Sequence, residues 1–390
     1  MHSLCTKIGI IGGGQLGKMM ILEAKKMGFF VAILDPDPNC AAHSISDVHI
    51  TADFYNQAAF MQLAEICDII TYEYEHISLE GLLKIEKFGK PVYPTPKSLG
   101  IIQDKLKQKQ KLCKAGVNVP EFVEINCIKD VENAGKNFGY PLMLKTTKGG
   151  YDGKGTFTIK DAAQIPQAWT AMGSGEMGLM AERFVDFEME ISVLACRGIN
   201  GEIAVYPVAE NWHYNEILRE TRVPAAIGDS SRDSAVAVAG HVMEIFDGVG
   251  MFCVEMFLHK DGSVSVNEIA PRPHNSGHYT IEGCITSQFE QHIRAITGLP
   301  FGDTSLIMPV AMQNLLGEEG HEGATFVQNA EEALKIPGVF LHIYGKTHTK
   351  PKRKMGHITA LGKTIEEAAD KAQQAKDAVK IISKEKEVIK

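Results

Sequence analysis

Residues 142–155 read Leu142-Met-Leu-Lys145-Thr-Thr-Lys148-Gly-Gly-Tyr-Asp-Gly-Lys-Gly155, a short strand that delivers a lysine and then enters a glycine-rich loop. Four of the last seven residues are glycines. Glycines without a Cβ atom let backbone N–H groups approach phosphate oxygens, and Lys145, Lys148 and Lys154 supply positive charge. A surface turn without any ligand can have the same composition. The loop therefore indicates polyphosphate binding only where other residues support it.

The composition is that of a globular protein with more than one domain. The chain has 390 residues, 44% hydrophobic and 23% charged, which predicts two or three domains. A net charge of −8 argues against a general binder of nucleic acid or anionic membranes. No apolar run approaches the roughly 18 residues that span a bilayer. The eight cysteines contain no C-x-x-C pair, so neither a disulfide framework nor a zinc site is indicated, and we expect a cytoplasmic protein.

The first hundred residues predict a Rossmann-type unit. A strand over 8–11 enters the turn Gly12-Gly-Gly-Gln-Leu-Gly17, and a helical pattern and a second strand follow. A G-x-G-x-x-G turn with Asp35 about twenty residues on is typical of dinucleotide-binding proteins, so a NAD-dependent oxidoreductase is one interpretation. A sugar phosphate can use the same helix N-terminus, and the prolines at 36 and 38 disfavour an adenosine pocket.

Two carboxylates follow the strand predicted over 69–72, in the run Glu73-Tyr-Glu75-His76. The carboxyl edge of a parallel sheet is where α/β proteins bind ligands, although solvated loop acids would look the same. After a boundary at 91–96, we expect Ser98 to cap a helix whose exposed, lysine-rich face includes Lys105 and Lys109. From residue 119 onward, strand patterns with interspersed helices predict an α+β domain.

A β-hairpin is predicted over 251–269, with Asp261-Gly262 as a two-residue turn. Continuing that register places Glu255 directly opposite Glu268, with Cβ atoms about 5 Å apart. Two carboxylates at this distance need a shared proton or a cation, and Mg²⁺, or Mn²⁺ in its place, suits an enzyme that holds ATP. Without the glycine loop, the pair could equally be structural.

Two further segments offer groups for binding anions. The run Ala270-Pro-Arg272-Pro-His-Asn-Ser-Gly-His278 follows the hairpin as a proline-stiffened turn, and Arg272 could bind an anion bidentately. The alternative is a rigid loop whose polar side chains satisfy one another. A basic cluster, Lys346 to Lys354, predicts either phosphate recognition or only a solvated charged turn.

Together these segments resemble one family over nearly the whole chain, the N5-carboxyaminoimidazole ribonucleotide synthetases. The matching motifs are Gly12–Gly17, Tyr72–His76, Gly149–Gly155, Asn267-Glu268, Ala270–His278 and Lys354–His357. The resemblance implies an ATP-grasp fold with mixed α/β and α+β character. It implies a Rossmann-like preATP-grasp domain over 1–97, an ATP-grasp domain over 98–297 with a flap lobe at about 118–185, and a small β-rich C-terminal domain with a terminal helix over 298–390.

The resemblance also implies an activity in de novo purine biosynthesis. Members of the family join bicarbonate to the amine of 5-aminoimidazole ribonucleotide and cleave ATP to ADP and phosphate, through carboxyphosphate. In this chain Lys145, Tyr151, Asp152 and Arg272 would be catalytic. Lys145 would offset charge on the transferring phosphoryl group, Asp152 would accept a proton from the substrate amine, and Arg272 would hold the bicarbonate-derived group.

The binding residues carried over from the family form three sets. Glu255 and Glu268 would be the magnesium ligands. ATP would contact Lys105, Lys145, Gly150, Tyr151, Asp152, Gly153, Lys154, Gly155, Thr156, Glu182, Arg183, Phe184, Val185, Glu190, His213, Asn267 and Glu268. The ribonucleotide would contact Gln15, Leu16, Glu73 or Glu75, Tyr151, Asp152, Arg272, His274, Asn275, Ser276, Lys346, Arg353 and Lys354.

The expected partners are small molecules, with neither nucleic acid nor membrane among them. The resemblance suggests a homodimer, and its product could pass to the N5-carboxyaminoimidazole ribonucleotide mutase. Formate-dependent glycinamide ribonucleotide transformylase and biotin carboxylase share the ATP-grasp plan, but Tyr151, Asp152 and the Arg272 turn resemble them less. A non-enzymatic nucleotide-binding regulator is a further alternative.

Overall fold

The computed structural model describes residues 5–150 and 155–384. Its N-terminal unit is a four-stranded parallel sheet in the order β3-β2-β1-β4. Ile8 and Ile10 face the core that includes α1, and Ile11 faces the core that includes α2 and α3, so both sheet faces are covered. The elements are β1 (Lys7–Ile11), α1 (Gln15–Lys26), β2 (Phe30–Asp35), β3 (Val48–Thr51), α2 (Gln57–Ile66), β4 (Ile69–Tyr72) and α3 (Leu79–Lys87).

A separate antiparallel sheet follows after two helices, in the order β5-β8-β6-β7. Alternating side chains such as Leu142 and Leu144 are buried against α6 and α7, which gives this unit a small core of its own. It lies inside the segment predicted as the flap lobe. The elements are α4 (Pro96–Ile102), α5 (Lys105–Lys114), β5 (Phe122–Ile125), α6 (Ile128–Phe138), β6 (Leu142–Thr146), β7 (Thr156–Ile159), α7 (Ile165–Ala171) and β8 (Leu179–Arg183).

The rest of the ATP-grasp segment supplies six strands of a nine-stranded sheet. Helix α8 covers one face, where Ala239 and Met243 pack against β9 and β13, and α10 lies on the other. The elements are β9 (Met189–Arg197), β10 (Ile203–Val205), β11 (Ala209–Tyr214), β12 (Ile217–Val223), α8 (Asp229–Phe246), β13 (Gly250–Leu258), β14 (Val264–Ala270), α9 (Thr280–Gly283) and α10 (Gln288–Thr297).

The C-terminal segment completes the nine-stranded sheet, whose order is β14-β13-β9-β11-β12-β15-β19-β17 with β10 beside β9. β12 pairs with β15, with Thr221 opposite Met312, so this sheet crosses the boundary predicted at residue 298. A three-stranded sheet, β18-β16-β20, lies beside it. The elements are β15 (Val310–Leu316), β16 (Gly323–Gln328), α11 (Ala330–Leu334), β17 (Val339–Ile343), β18 (His348–Thr349), β19 (Lys354–Leu361), α12 (Ile365–Ala378) and β20 (Lys380–Ser383).

The single helix predicted from Ser98 onward is two helices, and Ser98 does not cap either. Thr95 caps α4 by accepting a hydrogen bond from the Ser98 backbone N–H at 3.3 Å. Asp104 caps α5 by accepting from the Lys107 N–H at 3.2 Å, because a short carboxylate satisfies free amides at a helix start. The exposed position predicted for Lys109 is also wrong, since that residue is only 3% exposed.

The hairpin places Glu255 opposite Glu268 as predicted, but by a different turn. The His259 N–H donates to the Ser263 carbonyl and the Gly262 N–H to the His259 carbonyl, both at 2.9 Å, with Gly262 at φ +81°. This is a three-residue loop, which shifts the register by one residue near the turn. A bulge between Glu255 and Met256, where Asn267 is the additional residue of β14, restores the predicted register at the two carboxylates.

No helix in the described part of the chain is both long and apolar enough to cross a membrane.

Candidate active site

A cleft of about 440 Å³ lies between the separate four-stranded sheet and the nine-stranded sheet. Most of the predicted site residues in the described ranges line it. From the nucleotide and metal sets these are Lys105, Lys145, Gly150, Thr156, Glu182, Arg183, Phe184, Val185, Glu190, His213, Glu255, Asn267 and Glu268. From the ribonucleotide set they are Glu75, Arg272, His274, Asn275 and Lys354.

One buried carboxylate holds two lysines at the base of the cleft. Glu182, 2% exposed, lies 2.8 Å from the Lys145 Nζ and 2.9 Å from the Lys109 Nζ. Burial alone would raise the pKa of Glu182, but Lys145 and Lys109 lower it below its ordinary value. Lys109 also donates to the Asn267 carbonyl at 3.1 Å. Two cations share one anion, so this end of the cleft carries positive charge that can meet phosphate.

Lys105 connects the start of α5 to the edge strand β14. Its Nζ lies 2.6 Å from Glu268 Oε2, and its backbone N–H donates to the Thr147 carbonyl at 2.7 Å. Burial would lower the pKa of Lys105, but Glu268 raises it, and in return Lys105 keeps the pKa of Glu268 below its ordinary value despite burial. Lys105 and Glu268 are therefore both charged at neutral pH.

Glu255 carries the opposite perturbation. Burial, followed by repulsion from Glu268, raises its pKa to about 7. His274 Nε2 lies 3.1 Å from Glu255 Oε1, and burial and the charge of Arg272 hold the pKa of His274 well below its usual range. Beside them, Glu190 bonds His213 at 2.6 Å and raises the pKa of that histidine against the effect of burial.

Glu255 and Glu268, named here the carboxylate pair, fit a divalent cation. Lys105 lies on Glu268, and the raised pKa of Glu255 leaves that carboxyl partly neutral. Both offer hard oxygen ligands at the cleft lining, which is the donor type that Mg²⁺ takes together with phosphate oxygens.

At the opposite end of the cleft, the Arg272 turn meets the N-terminal sheet. Arg272 Nη2 lies 2.6 Å from Glu75 Oε1, and Nη1 donates to the Pro273 carbonyl at 3.0 Å. Asn275 exchanges two side-chain hydrogen bonds with Asn314, at 3.0 and 2.8 Å. The residues of this turn are thus held in place by Glu75, which follows β4, and by Asn314 on β15.

Ser276, expected to contact the ribonucleotide, lies behind the cleft lining. It is 1% exposed, and its hydroxyl accepts from Ser192 at 2.9 Å and lies 2.9 Å from His274 Nδ1. Its position supports His274 and does not give it an open approach to ligand.

In the glycine turn at 12–17, side-chain carboxylates of the protein itself accept hydrogen bonds from the backbone N–H groups. Glu73 accepts from the backbone N–H groups of Gly14 and Gly17, the latter at 2.5 Å, and Asp35 accepts from the Gly13 N–H at 2.7 Å. The Glu73 carboxylate therefore occupies the place of the phosphate in a dinucleotide fold.

Four further residues of the ribonucleotide set lie outside the cleft lining. Leu16 is 7% exposed and belongs to the core beneath α1, and Gln15 begins that helix. Lys346 donates to the Lys354 carbonyl at 2.8 Å, and burial together with Arg353 lowers its pKa to about 8. Arg353 donates to the His348 carbonyl at 2.6 Å.

Gly155 belongs to the nucleotide set but does not line the cleft. Its carbonyl accepts from the Thr146 N–H at 2.8 Å, which closes the base of the glycine loop. The expectations on Tyr151, Asp152, Gly153 and Lys154 fall outside the described residues.

Several residues in or beneath the cleft lining had no signal in the sequence motifs. Lys109 lies within a lysine-rich helix and resembles a solvated residue, yet it is buried on Glu182. Phe187 and Phe257 stack with ring centroids 4.8 Å apart at the cleft wall. The two phenylalanines lie near separate predicted strands and share no motif, so the sequence offered almost no sign that they would stack. Further lining residues are His76, Gln103, Met143, Thr147 and Lys148.

Three family models match consecutive parts of the chain. They describe a ribonucleotide synthetase preATP-grasp domain over residues 5–103, an ATP-grasp domain over 110–289, and a phosphoribosylaminoimidazole carboxylase C-terminal domain over 310–371. These matches confirm the predicted fold class. The exact domain bounds given above stay predictions.

Curated relatives and solved structures agree with these models. The chain is 45% identical, over 90% of both chains, to the N5-carboxyaminoimidazole ribonucleotide synthase of Bacillus subtilis. The crystal structure of the Thermotoga maritima synthetase superposes with a TM-score of 0.89 at 46% identity, covering 97% of this chain and 100% of that one. An Aspergillus clavatus structure, described as a complex with ADP and 5-aminoimidazole ribonucleotide, gives a TM-score of 0.89 at 36% identity, covering 96% and 98%. The chain therefore belongs to the N5-carboxyaminoimidazole ribonucleotide synthetase family, whose members are ATP-grasp ligases.

Proposed function

We propose that this chain carboxylates 5-aminoimidazole ribonucleotide with bicarbonate, cleaving ATP to ADP and phosphate, in purine biosynthesis. One observation carries the proposal: the carboxylate pair lies between Lys105 and Lys145 on one side and the Arg272 turn on the other, in a single cleft. That arrangement suits a reaction in which a phosphoryl group activates a small acid that an amine then attacks.

The lysine end of the cleft suits the phosphoryl-transfer half. Bicarbonate is a poor electrophile, so phosphorylation to carboxyphosphate supplies a leaving group. Lys145, with its buried partner Glu182, presents a fixed ammonium group toward the transferring phosphoryl. We assign Mg²⁺ to Glu255 and Glu268, where it would neutralise charge between the phosphate oxygens.

The Arg272 end suits the acceptor half. Arg272 lines the cleft and is held there by Glu75 and the Pro273 carbonyl, so it is our candidate to hold the bicarbonate-derived group. Glu75 lines the cleft and Glu73 is bonded to the glycine turn, which favours Glu75 as the substrate contact. Lys354, with Lys346 and Arg353 behind it, is assigned to the ribose phosphate. The roles of Asp152 as base and Tyr151 as substrate contact stay predictions.

The test is ATP- and bicarbonate-dependent phosphate release with three acceptors. We expect strong stimulation by 5-aminoimidazole ribonucleotide, and none by glycinamide ribonucleotide with formate or by biotin. Stimulation by either of the others would move the chain to a different ATP-grasp reaction, and no ATP turnover with any acceptor would favour a regulator. Release that stops when Mg²⁺ is removed and returns with Mg²⁺ or Mn²⁺ would support the metal assignment.

We further propose a cytoplasmic homodimer that delivers its product to the mutase. Exposed apolar side chains support a contact between copies: Ile285 is 59% exposed and Ile307 57%, and backbone hydrogen bonds join their segments. In sedimentation experiments the wild-type chain should be a dimer and the Ile285→Lys variant a monomer. A wild-type chain that sediments as a monomer, like the variant, would contradict the proposed dimer.

A further inference from the structure

Lys109 is a buried cation that lies beneath the cleft lining without forming part of it. Its side chain comes from α5 and is 4% exposed, and its Nζ lies 2.9 Å from Glu182 Oε1 on β8. The same Nζ donates to the Asn267 carbonyl on β14 at 3.1 Å. Lys109 therefore joins the separate four-stranded sheet to the nine-stranded sheet at the base of the cleft.

Both of these contacts of Lys109 are with acceptor groups, which suits the charged ammonium form. Burial lowers the pKa of Lys109, whereas the carboxylate of Glu182 opposes that shift. A buried ammonium group is costly unless an anion is paired with it. Solvation does not account for a lysine at this position, so its role lies in the groups that it contacts.

The charges of Lys109, Glu182 and Lys145 do not balance. Glu182 is the single anion of the three, and its other carboxylate oxygen, Oε2, lies 2.8 Å from Lys145 Nζ. Lys145 lines the cleft, whereas Lys109 lies behind it. Without Lys109, Glu182 and Lys145 would form a neutral ion pair, and such a pair attracts a phosphate group only weakly. The excess positive charge is therefore available where Lys145 faces the cleft.

We propose that Lys109 is a positioning residue of the nucleotide site, which neutralises Glu182 so that the charge of Lys145 acts on the phosphates of ATP. The inference rests on the assignment of Lys145 to those phosphates in the function proposed above, and it is independent of the acceptor that is carboxylated. Loss of one positive charge roughly 8 Å from a phosphate should weaken ATP binding about 10- to 30-fold at an effective dielectric constant of about 20.

The first test measures binding to the full chain without bicarbonate or acceptor. Calorimetric titration should show the weaker MgATP binding in Lys109→Met. Adenosine, which has no phosphate, should bind this variant and the wild-type chain equally in ligand-detected magnetic resonance. The matched control Lys107→Met, at a lysine of the same helix whose side chain is 62% exposed, should change neither affinity.

Two results of this test would overturn the proposal. Equal loss of ATP and adenosine binding in Lys109→Met would mean that the lysine only maintains the fold around the cleft. Unchanged ATP binding would mean that its charge has no effect on the phosphates.

The second test restores the charge balance with a double variant. Lys109→Met combined with Glu182→Gln removes one charge of each sign, so Lys145 again supplies a net positive charge. ATP affinity should return to within about threefold of the wild-type value, and the variant should fold even if Lys109→Met does not, because it leaves neither end of the buried ion pair alone. A double variant that binds ATP about tenfold or more weakly than the wild-type chain would overturn the charge-sharing role.

A third variant separates the proposal from its premise. Lys145→Met should itself weaken MgATP binding in the same titration. If it does not, the assignment of Lys145 to the ATP phosphates is wrong, and the role of Lys109 is wrong with it. If Lys145→Met weakens binding and Lys109→Met does not, the assignment of Lys145 stands and only the role of Lys109 is overturned.

Discussion

The two glycine-rich segments of this protein are similar in composition, but one binds side chains of the protein itself and the other lines an open cleft. The glycine turn at 12–17 directs its amides onto the chain's own Glu73 and Asp35. The described part of the loop after β6 lines an open cleft, next to Lys145. A glycine-rich turn before a helix therefore predicts that an anion is bound, but not whether the anion is a ligand or a side chain.

The largest expected effect is a loss of activity on mutation of Lys145, beside the glycine loop that lines the cleft. Lys145→Met should lower kcat/KM for phosphate release by about 100- to 1,000-fold, because it removes one fixed positive charge from the transferring phosphoryl group. The variant should keep its fold around Glu182, because Lys109 still forms an ion pair with that carboxylate. Steady-state kinetics beside Lys160→Met, an exposed lysine of the same lobe outside the cleft, checks this. Equal activity of the two variants would mean that Lys145 does not contact ligand phosphate.

A smaller effect is expected at the glycine turn at 12–17, where mutation of Glu73 should change the stability of the fold and not the rate of the reaction. Glu73→Gln should lower the free energy of unfolding by about 2 kcal/mol, because the amide NH₂ would replace the acceptor of either the Gly14 or the Gly17 N–H and leave that donor unpaired. Urea unfolding beside Asp37→Asn, an exposed neighbour, measures it. Unchanged stability together with new NADH binding would reveal a dinucleotide site after all.

The smallest expected effect is a pH dependence of metal binding. Because Glu255 has a pKa raised from 4.5 to about 7, the folded chain holds a proton there at pH 6 that Mg²⁺ must displace. Mg²⁺ affinity should rise about tenfold per pH unit up to pH 7 and then level off. Without metal, the same shift makes the folded state lose stability as pH rises from 4.5 through 7. Calorimetry at pH 6, 7 and 8 should find the slope in the wild-type chain and not in Glu255→Gln.

Sequence patterns predict many of the strands and the pairing of Glu255 with Glu268, because alternation and hydrophobic runs are local, but they do not predict the sheet that continues across residue 298. These patterns fail where contacts between distant parts of the chain determine the position of a residue. Lys109 resembles any lysine of an exposed helix until β8 brings Glu182 to it. The hairpin turn was predicted too short, and only the bulge at Asn267 restored the register at the two carboxylates.

The family resemblance located the cleft residues more fully than any pattern did. It carried over Glu190 and His213, which the structure joins at 2.6 Å, although neither belongs to a readable motif. It could not say which of Glu73 and Glu75 faces the cleft, since both follow β4. That choice depends on which backbone amides lie within reach of each carboxylate, and the fold alone decides it.

The pairing of β12 with β15 has a mechanical consequence. Because the nine-stranded sheet is continuous across residue 298, the strand that carries Glu255 and the strand that begins at Lys354 belong to one stiff plate. The separate sheet with Lys145 has its own core, and the cleft lies between it and this plate. We therefore predict that any opening of the cleft moves Lys145 with its own sheet, while Glu255 and Lys354 keep their positions relative to each other on the plate.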